Sequence, residues 1–168
     1  MIIDIASLKK SEGEIRKFNL EVILPPLGSG LEQVAFVGSL RLNFSLTCLN
    51  QNLFLQGHLE TTVRLHCGRC LEQFDLPLQF ELNETYYNEA ISETVSKPEE
   101  DWIAYRGDVL DIRPELERAV LANLPMRPLC REDCLGLCPV CGQNRNNQPC
   151  QCSSEELDPR LAVLKNLL

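Results

Sequence analysis

The chain has 168 residues, room for one domain or one domain with a small appendage. Its apolar fraction of 44% and charged fraction of 24% are ordinary for a globular protein, and no apolar run is long enough to span a bilayer. The net charge of -8 argues against a protein that coats nucleic acid without discrimination. The first residues carry Asp4 inside a short apolar stretch and lack a basic leader, which is not the pattern of a signal peptide, so the expected setting is a reducing cytoplasm. Nine cysteines, an odd number, then point to metal ligation rather than to disulfides.

In chain order, Phe18, Leu20, Val22 and Leu24 suggest a first strand that ends at Pro25-Pro26. From Val34 to Cys48 the even positions are mostly apolar (Phe36, Leu40, Leu42, Phe44, Leu46), the period of two of a long strand with one buried face. After the polar break Asn50-Gln51-Asn52 the alternation restarts on odd positions from Leu53 to Cys67, which reads as a hairpin. A further run, Phe74 to Tyr86, alternates again on even positions. These segments predict an antiparallel sheet, open or curled into a barrel-like form.

Residues 90–107 are expected to be an acidic linker with room for a short strand. From Glu81 to Asp101 the only basic residue is Lys97, against Glu81, Glu84, Glu89, Glu93, Glu99, Glu100 and Asp101. Such a charge run reads first as a solvated loop and second as a docking surface for a basic partner. A helix follows, with Asp111 as N-cap, Pro114 in the first turn, Leu116, Ala119, Val120 and Leu124 on one face, and Pro125 as its stop. A second helix is expected at the end, capped by Asp158 before Pro159, with Leu161, Leu164 and Leu168 inward. The expected class is α+β: a β domain over 1–89, the linker over 90–107, and a helix–zinc-knuckle–helix module over 108–168.

The densest chemistry lies between Cys130 and Cys152. Cys138-Pro-Val-Cys141-Gly142 has the form of a zinc knuckle, two thiolates two residues apart followed by a glycine that permits the tight turn. Leu135, Leu137 and Val140 would return roughly 1.5–3 kcal/mol each if buried, whereas a structural zinc contributes about 10–16 kcal/mol. One zinc per chain is expected, held by Cys138 and Cys141 with Cys150 and Cys152, and with Cys130 and Cys134 as alternative ligands. Four sulfurs leave no open position, so the ion is structural rather than catalytic.

Cys67-Gly-Arg-Cys70 admits three readings. It is a turn that supports or shares a metal, as a second half-site completed by leftover cysteines; part of an RNA-facing surface with Arg64, His66 and Arg69; or a redox pair. The redox reading asks for a helix starting at the first cysteine, and Leu71 onward runs into a strand instead. Cys48 falls on the buried parity of its strand, and His58 and His66 fall on the polar one. No nucleophile–base set, phosphate-binding glycine loop or paired-carboxylate signature is visible, so nothing argues for an enzyme.

The motifs Cys67-Gly-Arg-Cys70-Leu71, Leu124-Pro-Met-Arg-Pro-Leu-Cys130, Gly136-Leu-Cys-Pro-Val-Cys-Gly-Gln-Asn144, Cys150-Gln-Cys152 and Asp158-Pro-Arg-Leu-Ala-Val-Leu164 occur in this order. In that combination the chain resembles the bacterial YceD family, the large ribosomal RNA subunit accumulation proteins, with Arg145 standing where relatives often carry Leu. The resemblance implies a non-enzymatic role in synthesis, processing or stability of large-subunit ribosomal RNA. The implied partner is a precursor of that RNA or a ribosomal protein bound to it, not a membrane or a small-molecule substrate. Arg64, Arg69, Arg127, Arg131 and Arg145 are the candidate phosphate contacts. The alternatives are an adaptor that binds a ribosomal protein and, behind it, a thiol oxidoreductase marked by a depressed thiol pKa at Cys67 or Cys70.

Overall fold

The computed structural model describes residues 1–30, 33–92 and 101–152. The alternation read from the sequence appears as strands β1 (Ile2–Asp4), β2 (Ile15–Val22), β3 (Ala35–Phe36), β4 (Leu40–Leu49), β5 (Asn52–His66) and β6 (Gln73–Asn88). After a short helix α1 (Glu89–Ser92) come β7 (Ile103–Tyr105), β8 (Val109–Asp111) and helix α2 (Arg113–Ala122). Leu40, Leu42, Phe44, Leu46 and Cys48 of β4 are buried, and so are Leu53, Leu55, Leu59, Val63 and Leu65 of β5. Both sets have the parity expected of a sheet with one covered face.

β4 and β5 pair antiparallel from Leu49↔Asn52 outward. The two residues between them, Asn50 (φ 50°) and Gln51 (φ 63°), both lie in the left-handed region, the pattern of a tight two-residue hairpin loop. Opposite Phe44 stands Gly57, where a Cβ would come within 2.5 Å of the Phe44 Cβ and 2.7 Å of the Asn43 carbonyl oxygen. The long strand expected from Val34 to Cys48 is broken at Gly38 (φ 87°): β3 pairs with β5 through Ala35↔Arg64 and Phe36↔Val63, and β4 begins beyond the break.

The larger sheet has the order β2-β4-β5-β6-β7, with β3 joined to β5, and β1 pairs antiparallel with β8 in a separate two-stranded sheet. The sheet is open, which corrects the barrel-like alternative: β2 and β7 form its edges, and β7 lies parallel to β6 over only Tyr86↔Ile103 to Asn88↔Tyr105.

The chain divides into two compact units, Met1–Leu65 with Phe74–Met126, and His66–Gln73 with Arg127–Leu168. Helix α2 therefore belongs with the sheet and not with the cysteine segment, unlike the division expected at residue 108. Its fully buried Leu116 and Val120, and Ile112 just before it, join the cluster that contains Leu82 and Tyr86. An amphipathic helix goes where apolar surface can cover it, and the cysteine segment offers little. The N-cap position belongs to Ile112, which has no side chain able to cap, and not to the expected Asp111; from one residue earlier, at the end of β8, Asp111 accepts the Arg113 N–H on its Oδ1 at 3.1 Å. The helix stops at Ala122, three residues ahead of Pro125. The expected second helix at Asp158–Leu168 and most of the expected linker lie outside the described residues.

Candidate metal centres

The second unit, over its described residues, has little apolar filling. Leu135 and Val140 are 58% and 64% exposed, so two of the three side chains able to stabilise the segment by burial contribute little. Backbone turns and sulfur organise it instead. In the knuckle, Gly142 (φ 73°) donates its N–H to the Cys138 carbonyl at 2.9 Å, and Cys138 donates to the Gln143 carbonyl at 2.8 Å. The turn at Cys67 repeats this pattern bond for bond: Leu71 (φ 62°) donates to the Cys67 carbonyl at 2.9 Å, and Cys67 donates to the Glu72 carbonyl at 2.9 Å.

The sulfurs gather into two groups. Cys138, Cys141, Cys150 and Cys152 form one, as expected, and Cys67, Cys70, Cys130 and Cys134 form the other; in each, all four Sγ atoms lie within 4.8 Å of one another. Cys130 and Cys134, read as alternative ligands of the first group, instead complete the half-site at Cys67 and Cys70. This replaces the expectation of a single cluster with two four-sulfur groups, either of which could hold a metal ion. Cys48 stands apart, buried in the sheet core as expected.

Each group mixes sulfurs that ionise readily, Cys67 and Cys134 in one and Cys138 in the other, with sulfurs that resist, Cys70 and Cys130 in one and Cys150 and Cys152 in the other. Burial works against ionising Cys67, but backbone N–H groups of Cys130, Cys70 and Arg69 together outweigh it and hold the thiol at about 6. At Cys70 burial dominates and pushes the thiol up to about 12. The N–H groups of Cys141 and Val140 hold Cys138 at about 6, while Cys152, facing Cys141, is pushed up to about 12. Four thiolates in one place need a cation among them, and a divalent ion supplies the compensating charge.

The depressed Cys67 thiol is the sign named for a redox pair, but its setting is a poor one for exchange. Cys67 is 0% and Cys70 3% exposed, each sulfur faces another cysteine of the group, and the turn leads into β6 rather than a helix.

A family model described as large ribosomal RNA subunit accumulation protein YceD matches residues 55–168, well over half of the chain. The chain belongs to the YceD family. Over 172 aligned residues this YceD protein is 29% identical to an uncharacterized protein of Mycobacterium tuberculosis, covering 100% of this chain and 81% of the relative. It is 28% identical to an uncharacterized protein of Mycobacterium leprae, covering 77% of that relative. It is 26% identical over 143 residues to the chloroplastic large ribosomal RNA subunit accumulation protein YCED homolog 1 of Arabidopsis thaliana, across 70% of this chain and 44% of that protein. No solved structure matches it. Among the described residues no helix is long and apolar enough to cross a membrane.

The five candidate arginines of this YceD protein have different surroundings. Arg64 is held by Asp75 through two bonds of 2.7 and 2.9 Å. Arg69 donates to the carbonyls of Glu132 at 3.3 Å and Cys134 at 2.8 Å. Arg131 bonds Asn146 Oδ1 at 2.8 Å and lies 3.4 Å from Asp133. Arg127 and Arg145 are exposed, and their guanidinium groups make no hydrogen bond or ion pair within the described residues. His58 sits between Glu60 at 3.5 Å and Glu81 at 3.1 Å, and His66 meets the Gln73 amide at 3.3 Å.

Sequence reasoning missed Asn146. Its Nδ2 donates to Cys134 Sγ at 3.3 Å and to Asn144 Oδ1 at 2.8 Å, and its Oδ1 accepts from the Leu135 N–H at 2.8 Å. It also missed the pairing of Cys67 and Cys70 with Cys130 and Cys134 as the favoured arrangement. The available signal was arithmetic: eight cysteines outside the sheet core make two sets of four.

Proposed function

We propose that this protein promotes accumulation of large-subunit ribosomal RNA as a non-enzymatic binding factor in the cytoplasm, with a structural zinc held by Cys138, Cys141, Cys150 and Cys152. The family match over residues 55–168 carries the reading. The four-sulfur grouping supports a structural metal, because thiolates at all four corners of a tetrahedral ion leave no place for a substrate. Arg127 and Arg145 are the best candidates for phosphate contacts, since Arg64, Arg69 and Arg131 already have partners within the chain.

The test is depletion of the protein with quantification of mature large- and small-subunit ribosomal RNA. The expected result is a lowered large-to-small ratio, restored by the wild-type chain. An unchanged ratio overturns the assignment. Incubating the purified protein with isolated ribosomal RNA and, separately, with isolated ribosomal proteins reads which class it contacts; binding only to protein would replace the RNA contact with the adaptor role.

A further inference from the structure

The two knuckle turns share a hydrogen-bond pattern, yet only the Cys138 turn announces itself by a following glycine. We propose that Cys67, Cys70, Cys130 and Cys134 form a second, independent zinc site, which ties the β5–β6 turn to the segment that follows Met126.

Geometry separates this reading from its competitors. Zinc–thiolate bonds of about 2.3 Å at tetrahedral angles place neighbouring sulfurs about 3.8 Å apart, whereas a disulfide holds them at about 2.05 Å. The Cys67–Cys134 and Cys70–Cys130 sulfurs stand 3.8 and 3.7 Å apart, at the tetrahedral edge length and far from a disulfide. Packing alone would not bring four sulfurs within 4.8 Å of one another while leaving Leu71 and Leu135 exposed.

The surroundings are those of a metal–thiolate centre. Thiolate ligands accept hydrogen bonds that orient them and spread their charge. The Arg69 N–H points to Cys67 Sγ at 3.5 Å and the Asn146 amide to Cys134 Sγ at 3.3 Å. On binding, the four thiols lose their protons to solvent as four zinc–sulfur bonds form, leaving a site of net charge -2. The Arg69 guanidinium, fixed by the carbonyls of Glu132 and Cys134, supplies a positive charge next to the ligand Cys70 in the chain.

The two sites differ in what they close. The Cys138 site gathers residues within one short stretch, 138–152. The Cys67 site joins residues 60 and 67 positions apart and is the only one of the two that includes both chain segments of the second unit. Beside it the backbones interlock: Gly68 donates to the Pro128 carbonyl at 2.8 Å and Leu137 to the Arg69 carbonyl at 3.1 Å. This zinc is therefore the clamp of the unit. The proposal does not rest on the ribosomal RNA reading, since metal counting tests the one and the RNA ratio the other.

The experiment is native mass spectrometry of the full chain, grown in zinc-replete medium and purified with reductant and without chelator. Zinc-edge X-ray absorption is recorded on the same sample. The expected result is two zinc ions per chain with an average of four sulfurs per zinc at about 2.3 Å. Cys70→Ser with Cys130→Ser should lower the count from two to one, as should Cys141→Ser with Cys152→Ser. Should a double variant fail to fold, cobalt titration of the wild-type chain gives the same answer: thiolate-to-cobalt absorbance should rise linearly to two equivalents. One zinc in the wild-type chain, fewer than four sulfurs per zinc, or a Cys67–Cys134 or Cys70–Cys130 disulfide in the reduced preparation would each overturn the proposal.

Discussion

Leu71 and Gly142 occupy the same place in two turns: each follows the second cysteine of a Cys-x-x-Cys pair, each has positive φ (62° and 73°), and each donates to the carbonyl of the first cysteine at 2.9 Å. Glycine takes this conformation without penalty, whereas an L-residue with a side chain crowds its own carbonyl at a cost of roughly 1–2 kcal/mol. Leu71 is 47% exposed, so its side chain recovers little of that by burial. Leu71→Gly should therefore stabilise the turn by up to about 1 kcal/mol after the extra entropy of glycine in the unfolded chain is deducted. Chelator-driven zinc release should be slower than in the wild-type chain. Faster release would mean that Leu71 contributes a contact outweighing its backbone strain.

Arg69 was a candidate RNA contact by its charge, but its guanidinium is built into the second unit. It donates to the carbonyls of Glu132 and Cys134, and its own carbonyl accepts from Leu137. Arg69→Glu would set a carboxylate against those carbonyls and leave them without donors, at a cost of about 1–3 kcal/mol. The expected outcome is lower urea resistance of the second unit and faster zinc release, with Arg69→Lys in between. Arg127→Glu, at an exposed side chain, should stay within about 0.5 kcal/mol of wild type in the same assay. Equal behaviour of the two charge reversals would return Arg69 to the surface role.

The sheet has its own point of close approach. At Gly57 a Cβ would meet Phe44 Cβ at 2.5 Å and backbone atoms of Asn43 and Phe44 at 2.7 and 3.0 Å. Phe44 cannot yield easily, because its ring stacks on Phe18 with centroids 5.0 Å apart. Gly57→Ala should destabilise the sheet by roughly 1–3 kcal/mol, the range of overpacked cores. In thermal unfolding that is a fall in Tm of about 2–4 °C per kcal/mol for a chain of this size. Gly68→Ala is the control, since its nearest neighbour, the Pro128 oxygen, would lie at an ordinary 3.4 Å. Similar losses in both variants would show that contact with Phe44 does not decide the effect.

What could be read ahead of the structure divides by the range of the interaction. The buried parity of Leu40 to Cys48 and of Leu53 to Leu65 is a local period of two, and it held. The Cys138–Gly142 knuckle was readable because its glycine, both cysteines and its turn lie within five residues. The partners of Cys67 and Cys70 were readable only as leftover cysteines in an alternative reading, because no local pattern specifies a contact 60 residues away, and Leu71 hides the turn that glycine advertises at Gly142. The face of α2 was readable from Leu116 and Val120, but not what would cover it, since periodicity names the buried side and leaves the covering surface open.

The same helix carries a titratable group in the apolar core. Glu115 is 4% exposed, and its Oε2 has no hydrogen-bond partner among the described residues. Burial is the main reason its carboxyl pKa lies above the ordinary 4.5, with Asp111 adding to the shift and its own backbone N–H and Arg118, 3.9 Å away, opposing it. The neighbouring Glu84 and Tyr86 are likewise shifted upward, burial first and the Glu115 charge second. Glu115 thus ionises less readily folded than unfolded, and each ionisation costs stability. The penalty is absent below pH 4.5 and grows as the pH rises from there through the raised folded pKa, so folding stability falls across that interval. Glu115→Gln keeps the shape and removes the charge. It should raise the Tm at pH 7 and leave it nearly unchanged at pH 4, where the wild-type carboxyl is already largely protonated. Thermal unfolding of both proteins at the two pH values reads the difference directly. A lower Tm for Glu115→Gln at pH 7 would mean that the ion pair with Arg118 outweighs burial, and the sign of the pH dependence would reverse.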